Sequence, residues 1–138
     1  MARYAQNTQV SADRSRGELE KVLQRYGAEA FAYGTERTHA FVAFRVSGRS
    51  VRFSIQLPDI EDQEFTLTPT GRERAPAAIY AEWEKATRQR WRALLLVVKA
   101  KLEAIDSGIS SFEQEFLAWI VDAQGRTLGD TLVPQLDR

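Results

Sequence analysis

Few residues in this chain have types and spacings that could do chemistry. His39 is the only histidine, so a nucleophile–histidine pair or a histidine-bound metal would rest on one residue with no local signature around it. Asp59, Glu61, Asp62 and Glu64 follow a run that reads as a strand and Pro58. They resemble the first half of a magnesium nuclease motif, in which carboxylates gather around the ion. The second half, an acidic-x-Lys element on another strand, is missing, and a solvated acidic loop is the simpler expectation. Thr70-Gly71-Arg72 and Ser47-Gly48-Arg49 offer single glycine turns, without the spacing of a phosphate-binding loop. The sequence therefore assigns no catalytic residue, no metal ligand set and no cofactor, and enzyme activity is not the expectation.

Binding has better support. Phe41, Arg45 and Arg52 fall on one side of a hairpin, with His39, Ser54 and Gln56 around them. An aromatic ring among arginines can stack a base while the guanidinium groups hold its phosphates. Lys85, Arg88, Arg92 and Lys99 form a second basic group along a helix, from which Arg88 and Arg92 are the further candidate phosphate contacts. The competing expectation is that the acidic 59–64 loop or the C-terminal segment covers Phe41 and pairs with its arginines.

These residues need elements to hold them. Leu19, Val22, Leu23 and Tyr26 recur at helical spacing, so a helix is predicted from Ser11 or Ser15 to Tyr26, with Ser15-x-x-Glu18 as a capping box and Gly27 as the stop. Ala28 to Tyr33, Thr38 to Val46 and Arg49 to Leu57 are rich in aromatic and β-branched residues and read as three strands. A two-residue turn at Ser47-Gly48 or Gly48-Arg49 pairs even with odd positions. Either choice puts Ala40, Val42, Phe44 and Val46 with Val51, Phe53, Ile55 and Leu57 on the core side, and His39, Phe41, Ala43 and Arg45 with Ser50, Arg52, Ser54 and Gln56 in water.

Pro76 suits the first turn of a helix running to about Ile105 and stopped by Ser107-Gly108. Its apolar arc holds Tyr80, Trp83, Thr87, Trp91, Leu94, Leu95, Val98, Leu102 and Ile105, and Arg90 and Lys101 intrude on that arc. Ser110-x-x-Glu113 opens a third helix carrying Phe112, Phe116, Trp119 and Ile120. The expected fold class is α+β: a three-stranded antiparallel sheet packed on one face by a long helix and shorter helices, in the order α-β-β-β-α-α. A helix of about 30 residues spans roughly 45 Å, longer than one small sheet can cover. A homodimer that includes part of this helix is therefore expected, with Arg90 and Lys101 satisfied by the partner.

Composition bounds these readings. The chain has 138 residues and no cysteine, with 19 basic and 19 acidic side chains, so a single domain covering residues 1–138 without disulfides or thiolate metal sites is expected. The neutral total conceals blocks of about +4, −4, +4 and −4 along the chain, which disfavours a nonspecific nucleic-acid coat protein and leaves room for one local basic face. The polar start MARYAQNTQV does not read as a signal peptide, and no apolar run approaches a membrane span, so a cytoplasmic protein with no membrane partner is expected.

Three stretches, TQVSADRSRGELEKVLQRYGAEAFAYG, WEKATRQRWRALLLVVKAKLEAIDSGISSFEQEFLAWIV and DAQGRTLGDTLVPQL, together resemble small uncharacterised proteins encoded by tailed phages and prophages. The resemblance covers most of the chain. It implies a phage origin and a role in the cytoplasm of an infected bacterial host cell, and it implies no activity and no functional residues. Proteins of this size in such genomes commonly serve nucleic-acid transactions or counter-defence. The leading expectation is a non-catalytic accessory protein that binds single-stranded nucleic acid or a nucleotide through Phe41, Arg45, Arg52, Arg88 and Arg92. The alternative is a module that binds and inhibits a host protein through the acidic loop, and a magnesium nuclease is the third reading.

Overall fold

A computed structural model describes the backbone of residues 2–137 and the side chains of residues 12–137. Helix α1 (Ala2–Tyr26) leads into strands β1 (Ala30–Thr35), β2 (His39–Val46) and β3 (Arg49–Gln56). The one-turn α2 (Gln63–Thr66) precedes the long α3 (Pro76–Asp106). The chain ends in α4 (Phe112–Phe116), a 3-10 turn (Leu117–Trp119), α5 (Leu128–Leu132) and a second 3-10 turn (Val133–Asp137). The expected α+β class and the order of the large elements hold, while α2 and α5 are additional single turns too short to carry a periodic pattern.

Local chemistry explains most boundaries. The hairpin pairs His39 with Gln56 through Val46 with Arg49, the register set by a turn at Ser47-Gly48. Both turn residues have positive φ, 52° and 77°, the conformation that matches the twist of the flanking strands. All eight residues expected on the core side are buried except Ile55, which is half-buried. Pro76 opens α3, and Gly108 follows its cap with a left-handed φ of 81°.

Several boundaries differ from expectation. The third helix carries only Phe112 and Phe116 of its expected stripe, because the chain tightens into the 3-10 turn that holds Trp119 and then extends at Ile120 to bridge Val51. Ser15 lies within α1, which begins at Ala2, so Ser15 and Glu18 are one helical turn apart on a continuous helix and form no capping box. Strand β1 starts at Ala30 because Gly27 and Ala28 complete the end of α1, with the Ala28 N–H returning to the Leu23 carbonyl at 2.9 Å. The capping box of α4 is Ser111 with Gln114, one residue later than Ser110-x-x-Glu113.

The sheet order is β1-β2-β3, antiparallel throughout. One face is roofed by α3, with α1 packed along α3 and α4 beside it. Trp91, Leu94, Leu95, Val98 and Leu102 from α3 join Leu19 and Leu23 from α1 in one core with Val42, Phe44, Val51 and Phe53. Phe116 plugs this core from α4, its ring edge-on to Phe44 at 5.7 Å and to Phe53 at 6.0 Å, a favourable aromatic geometry.

The charges inside the α3 apolar arc find partners within the chain. Arg90 Nε donates to the Gln56 carbonyl at 3.0 Å, and Lys101 Nζ donates to the Glu115 carbonyl at 2.8 Å. Because α1 also runs beside α3, neither Arg90 and Lys101 nor the length of α3 requires a second copy. Among the described residues no helix is long and apolar enough to cross a membrane.

Candidate nucleic-acid interface

Strands alternate their side chains, so the sheet has a second face pointing away from the helices. On it β2 contributes His39, Phe41, Ala43 and Arg45, and β3 contributes Ser50, Arg52, Ser54 and Gln56. The register of β1 adds Ala30, Ala32 and Gly34, opposite Arg45, Ala43 and Phe41. None of these eleven residues is acidic, and carboxylates stand only at the border of the face, where Glu36 lies opposite His39 and the Glu29 side chain reaches Arg45.

Register fixes the geometry of the cationic residues. Arg52 lies opposite Ala43, which makes it the diagonal neighbour of both Phe41 and Arg45, each roughly 7–8 Å away. The small side chains at Ala30, Ala32, Ala43 and Ser50 leave a shallow trough of about 320 Å³ between Arg45 and Arg52. Phe41 is 41% exposed. Its ring lies over Gly34, where an added Cβ would come within 2.3 Å of Phe41 Cε1. The glycine therefore allows the ring to lie down on the sheet with its other side toward solvent. Gly34→Ala is expected to tip this ring outward with a stability change below about 1 kcal/mol, because the obstructing group is a movable side chain. Comparing thermal melts with NMR shifts of the Phe41 ring checks both parts.

The arginines are held, but loosely. Arg45 Nε is 3.4 Å from the Glu29 carboxylate, and both side chains are about half exposed, a pairing worth roughly 0–1 kcal/mol. Arg52 Nη1 donates to the Gly125 carbonyl at 3.1 Å, which fastens the 122–126 turn to the sheet and leaves its remaining donors available. The expected cover over Phe41 by the acidic loop or the C-terminal segment is not observed, since Phe41 stays exposed and the C-terminal segment meets Arg52 through the Gly125 carbonyl and not through a carboxylate. Arg37, which has no periodic signal in the sequence, takes the acidic loop instead, reaching Glu61 at 2.7 Å and Asp59 at 3.2 Å.

The Asp59 carboxyl is held below the ordinary range first by the backbone N–H of Glu61 and then by Arg37. A depressed carboxylate stabilises the fold above its unfolded value and loses that contribution as pH falls through the folded one. The Arg37 contact accordingly holds at neutral pH and releases on acidification below the ordinary value of 3.8. An NMR titration of Asp59 in Arg37→Ala should show its carboxyl returning part of the way to that range; an unchanged titration would mean that the Glu61 N–H acts alone. Among the described residues no three acidic or histidine side chains converge as a metal ion would require.

The two halves of the predicted site are separated. Phe41, Arg45 and Arg52 share the outward sheet face, whereas Arg88 and Arg92 project from α3 in the helix layer behind the sheet. Arg88 is bound to the buried Glu84 at 2.9 Å, and Lys99 to Glu18 at 2.9 Å, so this stripe is partly neutralised. Sequence reasoning missed Arg16, which is 8% exposed and lies over the rings of Tyr33 at 4.6 Å and Trp91 at 5.0 Å while pairing with Asp13. Its polar type gave no signal of burial. No protein-family model, curated protein or solved structure matches this chain, so the functional reading rests on the outward sheet face itself.

Proposed function

We propose that this chain binds single-stranded nucleic acid, stacking a base on Phe41 and holding the adjoining phosphates with Arg45 and Arg52. The observation that carries the reading is the outward face itself, with its exposed ring and two arginines around a floor of alanines and carboxylates only at its border. Bases present a flat face to any aromatic ring, so stacking tolerates sequence, while guanidinium groups grip phosphate through paired N–H donors. A phosphate of the ligand displaces Glu29 from Arg45 at little cost, since that ion pair is exposed. Arg88 and Arg92 lie outside this surface and take no part. The setting we infer, from the resemblance to tailed-phage proteins, is the cytoplasm of an infected bacterium, with the chain acting as a binding protein and not as an enzyme.

The acidic loop supports inhibition of a host protein less well, because Asp59 and Glu61 are already engaged by Arg37. Titrating the protein into a fluorescein-labelled oligothymidylate at rising salt tests the proposal. Two phosphate contacts on a single strand give a slope near −1.4 in log affinity against log salt, so affinity should fall about sevenfold between 50 and 200 mM. Phe41→Ala should weaken binding by roughly 5- to 150-fold, the loss of about 1–3 kcal/mol of stacking. Absence of binding to oligothymidylate and oligouridylate at low salt would overturn the proposal.

A further inference from the structure

The sheet has two edges, and among the described residues the β3 edge has partners at two of its outward carbonyls while the β1 edge has none. On β3 the Gln56 carbonyl is taken by Arg90 Nε at 3.0 Å, and the Ser50 carbonyl by the Val121 N–H at 2.8 Å. On β1 the Glu36 N–H meets the His39 carbonyl at 2.7 Å, which fixes the alternation along the strand. Ala30, Ala32, Gly34 and Glu36 direct their backbone groups toward β2, and Phe31, Tyr33 and Thr35 direct theirs outward. Among the described residues no backbone group meets these three N–H and three C=O groups.

Natural proteins usually guard such an edge with charge, proline or a covering element. The strand Ala30–Thr35 reads AFAYGT and has neither charge nor proline. Tyr33 points to the helix side of the sheet, where Arg16 and Trp91 meet its ring, yet it is 47% exposed, so the helix layer covers this border only in part.

We propose that β1 pairs with β1 of a second copy, antiparallel about a two-fold axis through Tyr33, to form one continuous six-stranded sheet. The outward groups are self-complementary in that register. Tyr33 faces Tyr33 of the second copy and Phe31 faces its Thr35, so all six donors and acceptors on each pair of edges meet partners on matching sides of the sheet. The axis is perpendicular to the sheet, which brings both copies of Phe41, Arg45 and Arg52 to the same side. This interface differs from one along α3, whose intruding charges are satisfied within the chain.

Sedimentation without nucleic acid, over low to high micromolar protein, is expected to show a concentration-dependent mass approaching twice 15.7 kDa. Because the measurement contains no oligonucleotide, its failure would leave the binding proposal standing, and the reverse also holds. The chain has no cysteine, so Tyr33→Cys supplies a single thiol. Directly opposed residues of a hydrogen-bonded antiparallel pair have Cα atoms about 5.5 Å apart, inside the range for a disulfide. Y33C should form a covalent dimer under mild oxidation well before Q24C, a control on the exposed side of α1. Thr35→Pro removes one outward N–H and should yield a monomer with an unchanged circular dichroism spectrum. A mass of 15.7 kDa at every concentration, a dimer that persists in T35P, or Y33C cross-linking no faster than Q24C would each overturn the inference.

Discussion

Trp91→Ala is expected to lower the stability of the fold by about 3–5 kcal/mol, the range for removing a large aromatic side chain from a packed core. Trp91 is 2% exposed and belongs to the central α3 stripe, with Leu94, Leu95 and Val98 beside it. Its ring is edge-on to Tyr33 at 6.5 Å and lies under the Arg16 guanidinium at 5.0 Å. Truncation therefore opens a cavity and also takes one of two aromatic faces from a buried cation. For a domain of this size the melting temperature should fall by roughly 10–20 °C. Trp91→Phe keeps an aromatic ring beneath Arg16 and should recover more than half of that loss. Urea and thermal unfolding followed by circular dichroism measure both variants; a loss below 1 kcal/mol for W91A would contradict the packing described for α3.

The second large effect concerns ligand binding. Reversing both arginines, R45E with R52E, should weaken oligonucleotide binding by at least about 100-fold, since each charge-assisted contact to phosphate contributes roughly 1.5–3 kcal/mol. The two positions are exposed or half-buried on a sheet face that makes no core contacts, so the melting temperature should move little. The loss of the Arg52 contact to Gly125 frees the 122–126 turn locally. The salt dependence is the sharper readout: with both phosphate contacts removed, the slope should flatten toward zero. K85E with R92E is the matching control on exposed positions of the helix layer and should leave the slope near that of the natural chain. Equal losses from the two pairs would mean that general charge, and not the sheet face, governs association.

Much of the fold was legible because it is written in short-range chemistry. The hairpin faces follow from alternation in 40–46 and 51–57, and its register from a two-residue turn whose Ser47 and Gly48 both take positive φ. The span of α3 follows from Pro76 at its start, the 3.6-residue repeat of Trp91, Leu94, Leu95, Val98 and Leu102, and Gly108 beyond its end. That Phe41, Arg45 and Arg52 share one face was likewise fixed once the period of two was recognised.

Periodicity assigns a residue to a face of its own element and says nothing about which distant group will stand opposite. Arg90 is answered by the Gln56 carbonyl, Lys101 by Glu115, Arg37 by Asp59 and Glu61, and Arg52 by a carbonyl 73 residues away. Those pairings depend on how α3, the acidic loop and the C-terminal turn pack against the sheet. Arg16 illustrates the same division, since its burial depends on Trp91 and Tyr33 converging from two other elements. Local pattern is enough for the main elements, their faces and the chemistry available on each face. The placement of Arg88 and Arg92 behind the sheet, the room that Gly34 leaves for the Phe41 ring, and a β1 edge without a backbone partner among the described residues emerge only from packing, because each depends on where separate elements lie in space.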